Sequence, residues 1–285
     1  MQKLFTSLLL LIATLPLRAA EPTAKDSDVV VPREIISLFN GKDLSSFYTW
    51  LVDHHREDPL KVFTVVDRVD GAPAIRISGQ VFGGLYTKQK FADYKLVAEF
   101  RWGLATWGNR TNAAKDSGVL LHATGCDGNY ISKTFNGPWM RSYEFQIIQG
   151  GVGDILVLPG YEPDGSMVKY SATATTIKDR DAETVWDAKG EAKEYQGGRI
   201  NWWGRDVEWA DKLDFRGRQD VESPGGEWTR IEVVCAGDTL DYFVNGKRVN
   251  QASHLSHKAG QLIFQSEGAE IYFRKIELHP LPAAK

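Results

Sequence analysis

The chain has 285 residues, with 34 Lys and Arg against 37 Asp and Glu and a formal net charge of −3. That balance gives no general attraction to nucleic acid or to an anionic membrane, so the expected partner is neutral or weakly charged. Only two cysteines occur, Cys126 and Cys235, which excludes a cysteine zinc cluster.

The first residues, MQKLFTSLLLLIATLPLRAA, combine a basic Lys3, an apolar run from Leu8 to Leu15 and small residues at Ala19 and Ala20. This is the pattern of a secretory signal over residues 1–20, and it predicts a periplasmic or secreted protein. No later apolar stretch approaches the roughly 20 residues that a membrane span needs. Export would permit a disulfide, but Cys126 falls in a predicted loop and Cys235 ends a strand pattern, so pairing stays open.

Residues 21–33 are polar with two prolines and read as a flexible lead-in. A single domain is expected over 34–280. It opens with IISLFNGKDLSSFYTW, where Asn40-Gly41 marks a tight turn. Short strand patterns follow in KVFTVVDR, PAIRISG, GGLYTKQKF and KLVAEFRW. Their spacing is that of a β-sandwich.

The stretch from Asp116 to Asp154 joins alternating strand pattern to chemically able side chains. In SGVLLHATG, alternation sends Val119 and Leu121 to one face and Leu120 and His122 to the other. In RSYEFQIIQ it separates Tyr143, Phe145 and Ile147 from Ser142, Glu144 and Gln146. If the two strands are neighbours, His122, Glu144 and Gln146 line one sugar-sized polar surface beside the glycine-rich GGVGD. Taken singly, Glu144 and Gln146 read as solvated surface and His122 as a structural histidine; the site reading rests on the three together.

An irregular insertion is expected at about 158–226, rich in Gly, charge and tryptophan, with indole faces such as Trp202 and Trp203 set to stack on sugar rings or to pack the insertion down. Alternation returns in EWTRIEVVCAG and DTLDYFVNGKRVN, where Asn245-Gly246 signals a two-residue hairpin, and QLIFQSEG and EIYFRKIEL close the chain. No amphipathic helix or tandem repeat stands out. The class is all-β: a two-sheet antiparallel β-sandwich with a long Trp-rich loop insertion.

LFNGKDLSSF, GGLYTKQKFADYKLVAEFRW, SGVLLH, YEFQI, GEWTRIEVVCAGDTLDYFVNGKRV and QLIFQSEGAEIYFRKIEL stand in the order seen in the 3-keto-disaccharide hydrolase family, which the chain resembles over nearly its whole mature length. Many relatives carry Asn, Arg and His where this chain has Asp116, His122 and Glu267. The resemblance implies a concanavalin A-like jelly roll and cleavage of a glycoside already oxidised to a ketone at carbon 3. A sugar 3-dehydrogenase is then the expected upstream partner. The ketone acidifies the carbon-2 proton, so a base removes it and the enolate expels the group at carbon 1.

For that chemistry the candidates are Glu144 or His122 as base and Gln146 to orient hydroxyls. Arg274 would stabilise the enolate or pair structurally with a carboxylate. Gln265, Asp154 and Lys88 form a second rank. A divalent metal, with His122, Glu144 and Asp116 as candidate ligands, is an alternative stabiliser. The competing class is a non-catalytic, lectin-like carbohydrate-binding module on the same fold.

Overall fold

The computed structural model describes residues 29–282; the expected signal segment lies outside them. The end of the lead-in is not free, because Val29–Val30 pairs in parallel with Lys90–Phe91. Two antiparallel sheets carry the fold. One runs Gly198–Ile200, Ile155–Leu158, Arg141–Ile148, Asp116–Thr124, Gln261–Ser266, Gly83–Thr87, Phe47–Leu51 across its width. The other runs Lys247–Ala252, Thr239–Val244, Thr229–Ala236, Tyr94–Thr106, Ala269–Pro280, Ala72–Ile77, Phe63–Val69, with Ile36–Ser37 added on Ala269–Pro280. This is the all-β sandwich that the alternation predicts. Among the described residues the one helical element is a 3-10 turn, Gly108–Arg110.

The core forms where the apolar halves of the strands meet. Val119, Leu121, Phe145 and Ile147 from the first sheet face Phe100, Ile231, Val233 and Phe273 from the second. Phe264 and Phe273 meet edge to face with centroids 5.1 Å apart, and Phe145 packs on Tyr242 at 4.7 Å. Thr229–Ala236 alternates buried and half-buried residues, as a strand with one wet face should. Arg141–Ile148 does not, because all eight of its residues are buried. Its second face is therefore covered as well, and the polar side chains on that face are held away from bulk water.

Asn245-Gly246 makes the expected hairpin. Both residues have positive φ, 47° and 79°, between the paired Val244 and Lys247. Two left-handed residues are what a twisted two-residue hairpin requires. The stretch 158–226 is more regular than its sequence suggests. It holds a three-stranded sheet ordered Thr184–Trp186, Ala172–Lys178, Glu191–Tyr195, a small hairpin Gly160–Tyr161/Met167–Val168, and the edge strand Gly198–Ile200. Both cysteines are free.

Candidate active site

Strand register builds the site on the outer face of the seven-stranded sheet. Arg199 pairs with Leu156, Leu156 with Glu144, and Glu144 with Leu120, which sets these four in one row across the sheet. The next row carries Gln146 opposite Gly118, with Gln265 on the following strand opposite Gly84. Asp116 and Glu267 close the same end of the face. Alternation along each strand explains why these side chains share a side.

Gly118 opens the floor. A Cβ there would lie 2.3 Å from Oε1 of Gln265 and 2.6 Å from Oε1 of Glu144, so both side chains lean over a position that only glycine leaves open. Glu144, Gln146, Gln265 and Asp116 are all buried. Yet Asp116 Oδ1 and Gln146 Oε1 have no hydrogen-bond partner in the protein, and the Gln265 amide has none but the Glu144 carboxyl it stands against. Buried polar atoms are ordinarily paired, so a group of them on one face of the sheet points to a polar ligand.

The charge on this face is crowded. Burial, then the neighbouring negative charge of Asp116, raises the Glu144 carboxyl well above the carboxylate range, with Arg199 opposing. Asp116 is raised for the same first reason, against Arg110 and Arg199. Glu267, part-buried in the turn after Gln261–Ser266, is raised by burial and then by Asp116 and Glu144. The three carboxyls therefore hold protons well above the acidity at which free carboxyls lose them. Arg110 bridges Asp116 and Asp211, and Arg199 lies on Asp154 at 3.1 Å.

One wall is aromatic. The loop over residues 125–140 folds back across the sheet, pinned by the Trp139 indole donating to Gly83 O at 2.7 Å and the Trp50 indole to Gly137 O at 2.9 Å. Tyr130 and Phe82 each pack on Trp139, with centroids 5.9 and 6.2 Å away. Burial raises the Tyr130 phenol, and after it the charges of Glu144 and Glu267.

His122 is not on this face. The strand bulges there: Arg141 pairs with Thr124 while Tyr143 pairs with Leu121, leaving two residues opposite one, and His122 has a φ of 51°. The extra residue turns the imidazole inward, edge-on to Tyr94 and Tyr143. There Nδ1 donates to His257 O at 3.1 Å, Nε2 has no partner, and burial pulls the pKa down to about 4. His122 is a neutral core residue, which corrects its placement as base or metal ligand beside Glu144.

Other expectations are corrected in the same way. Arg274 belongs to the opposite sheet, where Nε binds Glu99 Oε2 at 2.7 Å and the guanidinium covers the Trp228 ring at 4.0 Å. Asp154 is fully buried and holds Arg205, Arg199 and the Trp202 backbone N–H, so it positions Arg199. Trp202 is in the core; Trp203, half-exposed, donates to Arg248 O. Neither offers a sugar platform at this face. Lys88 is exposed, four residues beyond Gly84 and so ~13 Å along the strand. Of the metal candidates, Asp116 and Glu144 share the face without His122, and among the described residues no group of three His, Cys, Asp or Glu is arranged to hold a metal ion. Arg199, Arg110 and Tyr130 belong to the site without having been singled out from sequence. Arg199 arrives from a segment far from the Asp116–Asp154 stretch, and Arg110 from the turn six residues before Asp116.

Buried carboxyls and amides beside an aromatic wall, on the outer face of a β-sandwich, make up the candidate site. The chain belongs to the 3-keto-alpha-glucoside-1,2-lyase-like domain family, whose sequence pattern matches residues 34–279. No curated protein matches the sequence. Among solved structures, a candidate glycosyl hydrolase from Parabacteroides distasonis is 15% identical, with a TM-score of 0.49 over 87% of this chain and 94% of the other. A carbohydrate-binding module from Bacillus subtilis is 10% identical, with a TM-score of 0.37 over 75% and 91%. A β-glucanase from Bacillus licheniformis is 8% identical, with a TM-score of 0.32 over 84% and 100%.

Proposed function

We propose that the protein cleaves glycosides whose sugar ring carries a ketone at carbon 3, with Glu144 as the base. Ionised Glu144 takes the carbon-2 proton, and the bonding electrons pass into the enolate at carbons 2 and 3. The Gln265 amide and the Arg199 guanidinium face the developing oxygen charge. The enolate then expels the oxygen at carbon 1, forming a double bond between carbons 1 and 2, while Glu267 supplies the proton that the departing oxygen needs. Water adds across the double bond, hydroxyl to carbon 1 and hydrogen to carbon 2, so the net change is hydrolysis.

One observation carries this reading. A buried carboxyl with a raised pKa stands with the Gln265 amide over Gly118, on the same face as the unpartnered Gln146 Oε1, and a base with a pKa near working pH is what proton abstraction requires. Family membership supports the substrate class. We place the reaction outside the cytoplasm, on the strength of the N-terminal leader pattern, downstream of a dehydrogenase that installs the ketone.

The test is incubation of the purified protein with a 3-keto-disaccharide and with its unoxidised parent, following released monosaccharide. Release from the keto form alone supports the proposal. Sugar binding without release from either would make the protein a lectin-like module.

A further inference from the structure

A cavity lies away from the Glu144 row of side chains. It occupies about 660 Å³ at the end of the opposite sheet, where the 213–226 segment folds over Tyr94–Thr106 and Ala269–Pro280. That is within the range of small-molecule sites and large enough for more than one sugar ring.

Its lining is balanced. Four basic and four acidic side chains border it, among them Arg101, Arg216, Lys115, Asp70, Glu222 and Glu270. Most are already fixed: Arg101 binds Asp70 at 2.6 Å, Arg76 binds Glu270 at 2.6 Å, and Lys115 Nζ donates to Gly103 O at 3.0 Å. Glu222 is buried and accepts the Trp102 indole N–H at 2.5 Å, while Arg216 donates to the Glu222 carbonyl at 2.5 Å. Burial, then Asp220, pushes the Glu222 carboxyl up to about 8, so it is largely uncharged at neutral pH. Arg101 Nε is buried without a partner.

Apolar surface completes the site. Trp102, Phe215 and Tyr272 line it, and Leu104 at its rim is 95% exposed. A phosphate or a metal ion would favour a lining of one sign. Interleaved donors and acceptors beside aromatic rings instead suit a neutral ligand whose hydroxyls both give and accept hydrogen bonds and whose ring carbons pack on aromatic faces.

We propose that this cavity is a second carbohydrate site that takes a neutral oligosaccharide and is separate from the Glu144 face. The proposal rests on the reading of the protein as carbohydrate-active and deepens it. It gives the molecule two sugar contacts on opposite sheets, one for chemistry and one for holding a chain or a product.

Titration calorimetry of the full-length protein with maltose and with cellobiose tests it. Saturable binding of either that weakens at least tenfold in Tyr272→Ala and survives in Glu144→Gln is the expected result. Leu104→Asp changes a side chain that is almost wholly exposed, so it keeps the test valid should Tyr272→Ala fold poorly, and it should weaken binding in the same direction. No binding of either sugar, binding unchanged in both cavity variants, or displacement of the sugar by inorganic phosphate would each overturn the proposal. Turnover of the 3-keto substrate, measured in parallel, separates failure of this proposal from failure of the catalytic reading, because Tyr272 and Leu104 lie away from the Glu144 face.

Discussion

Gln265 and Glu144 lean towards each other over Gly118, their Oε1 atoms 2.3 and 2.6 Å from the point a Cβ would occupy. The spacing of the polar groups therefore depends on a missing methyl group. Gly118→Ala should push both side chains apart and cost about 1–3 kcal/mol of stability by overpacking. Turnover should fall far more than denaturant unfolding alone accounts for; a variant with normal turnover would show that the two groups do not act across this gap.

Glu144→Gln removes the proposed base with little change of shape. Release of monosaccharide from a 3-keto-disaccharide should fall by about 10²–10⁴, the usual contribution of a positioned base. Normal turnover in this variant would sink the assignment.

The same variant should alter the pH dependence of stability. Glu144, Asp116 and Glu267 all have folded pKa values above their unfolded ones. Between the two values the native state binds more protons than the unfolded chain, so stability is greatest at the acid end and declines as pH rises through the folded pKa values. Melting temperature should therefore drop from pH 5 towards pH 9, and drop less in Glu144→Gln. Activity should rise with pH as Glu144 ionises and fall again as Glu267 loses the proton it donates.

His122→Ala provides the contrast. It empties a core position between Tyr94 and Tyr143 and should cost about 2–4 kcal/mol, while the remaining folded protein keeps its turnover. The neutral imidazole should show no titration between pH 5 and 8 by NMR. Loss of turnover at full stability would return the histidine to the site.

Asp154→Ala should be among the most damaging single changes. It strands the buried Arg205 and releases Arg199, and removing one partner from a buried pair costs about 3–5 kcal/mol. Urea unfolding measures this directly. Arg199→Ala, whose side chain is a third exposed, should cost much less stability.

Much of the architecture was legible as sequence because it is local. Period-two alternation placed Glu144 and Gln146 opposite Phe145 and Ile147, and Asn245-Gly246 announced its hairpin through the positive φ that both residues tolerate. Family membership is carried by short strand motifs in a constant order. Tertiary structure alone decided the rest. Alternation assumes an unbroken ladder, so it could not show the bulge that turns His122 into the core. Arg274 and Gln265 lie nine residues apart, but the chain crosses between sheets at the turn that separates their strands, which carries the two to opposite faces of the molecule. Arg199 reaches the carboxyls through strand pairing over a long separation that no spacing in the chain encodes, and Arg110 reaches Asp116, six residues on, only because the 3-10 turn before the strand folds it back.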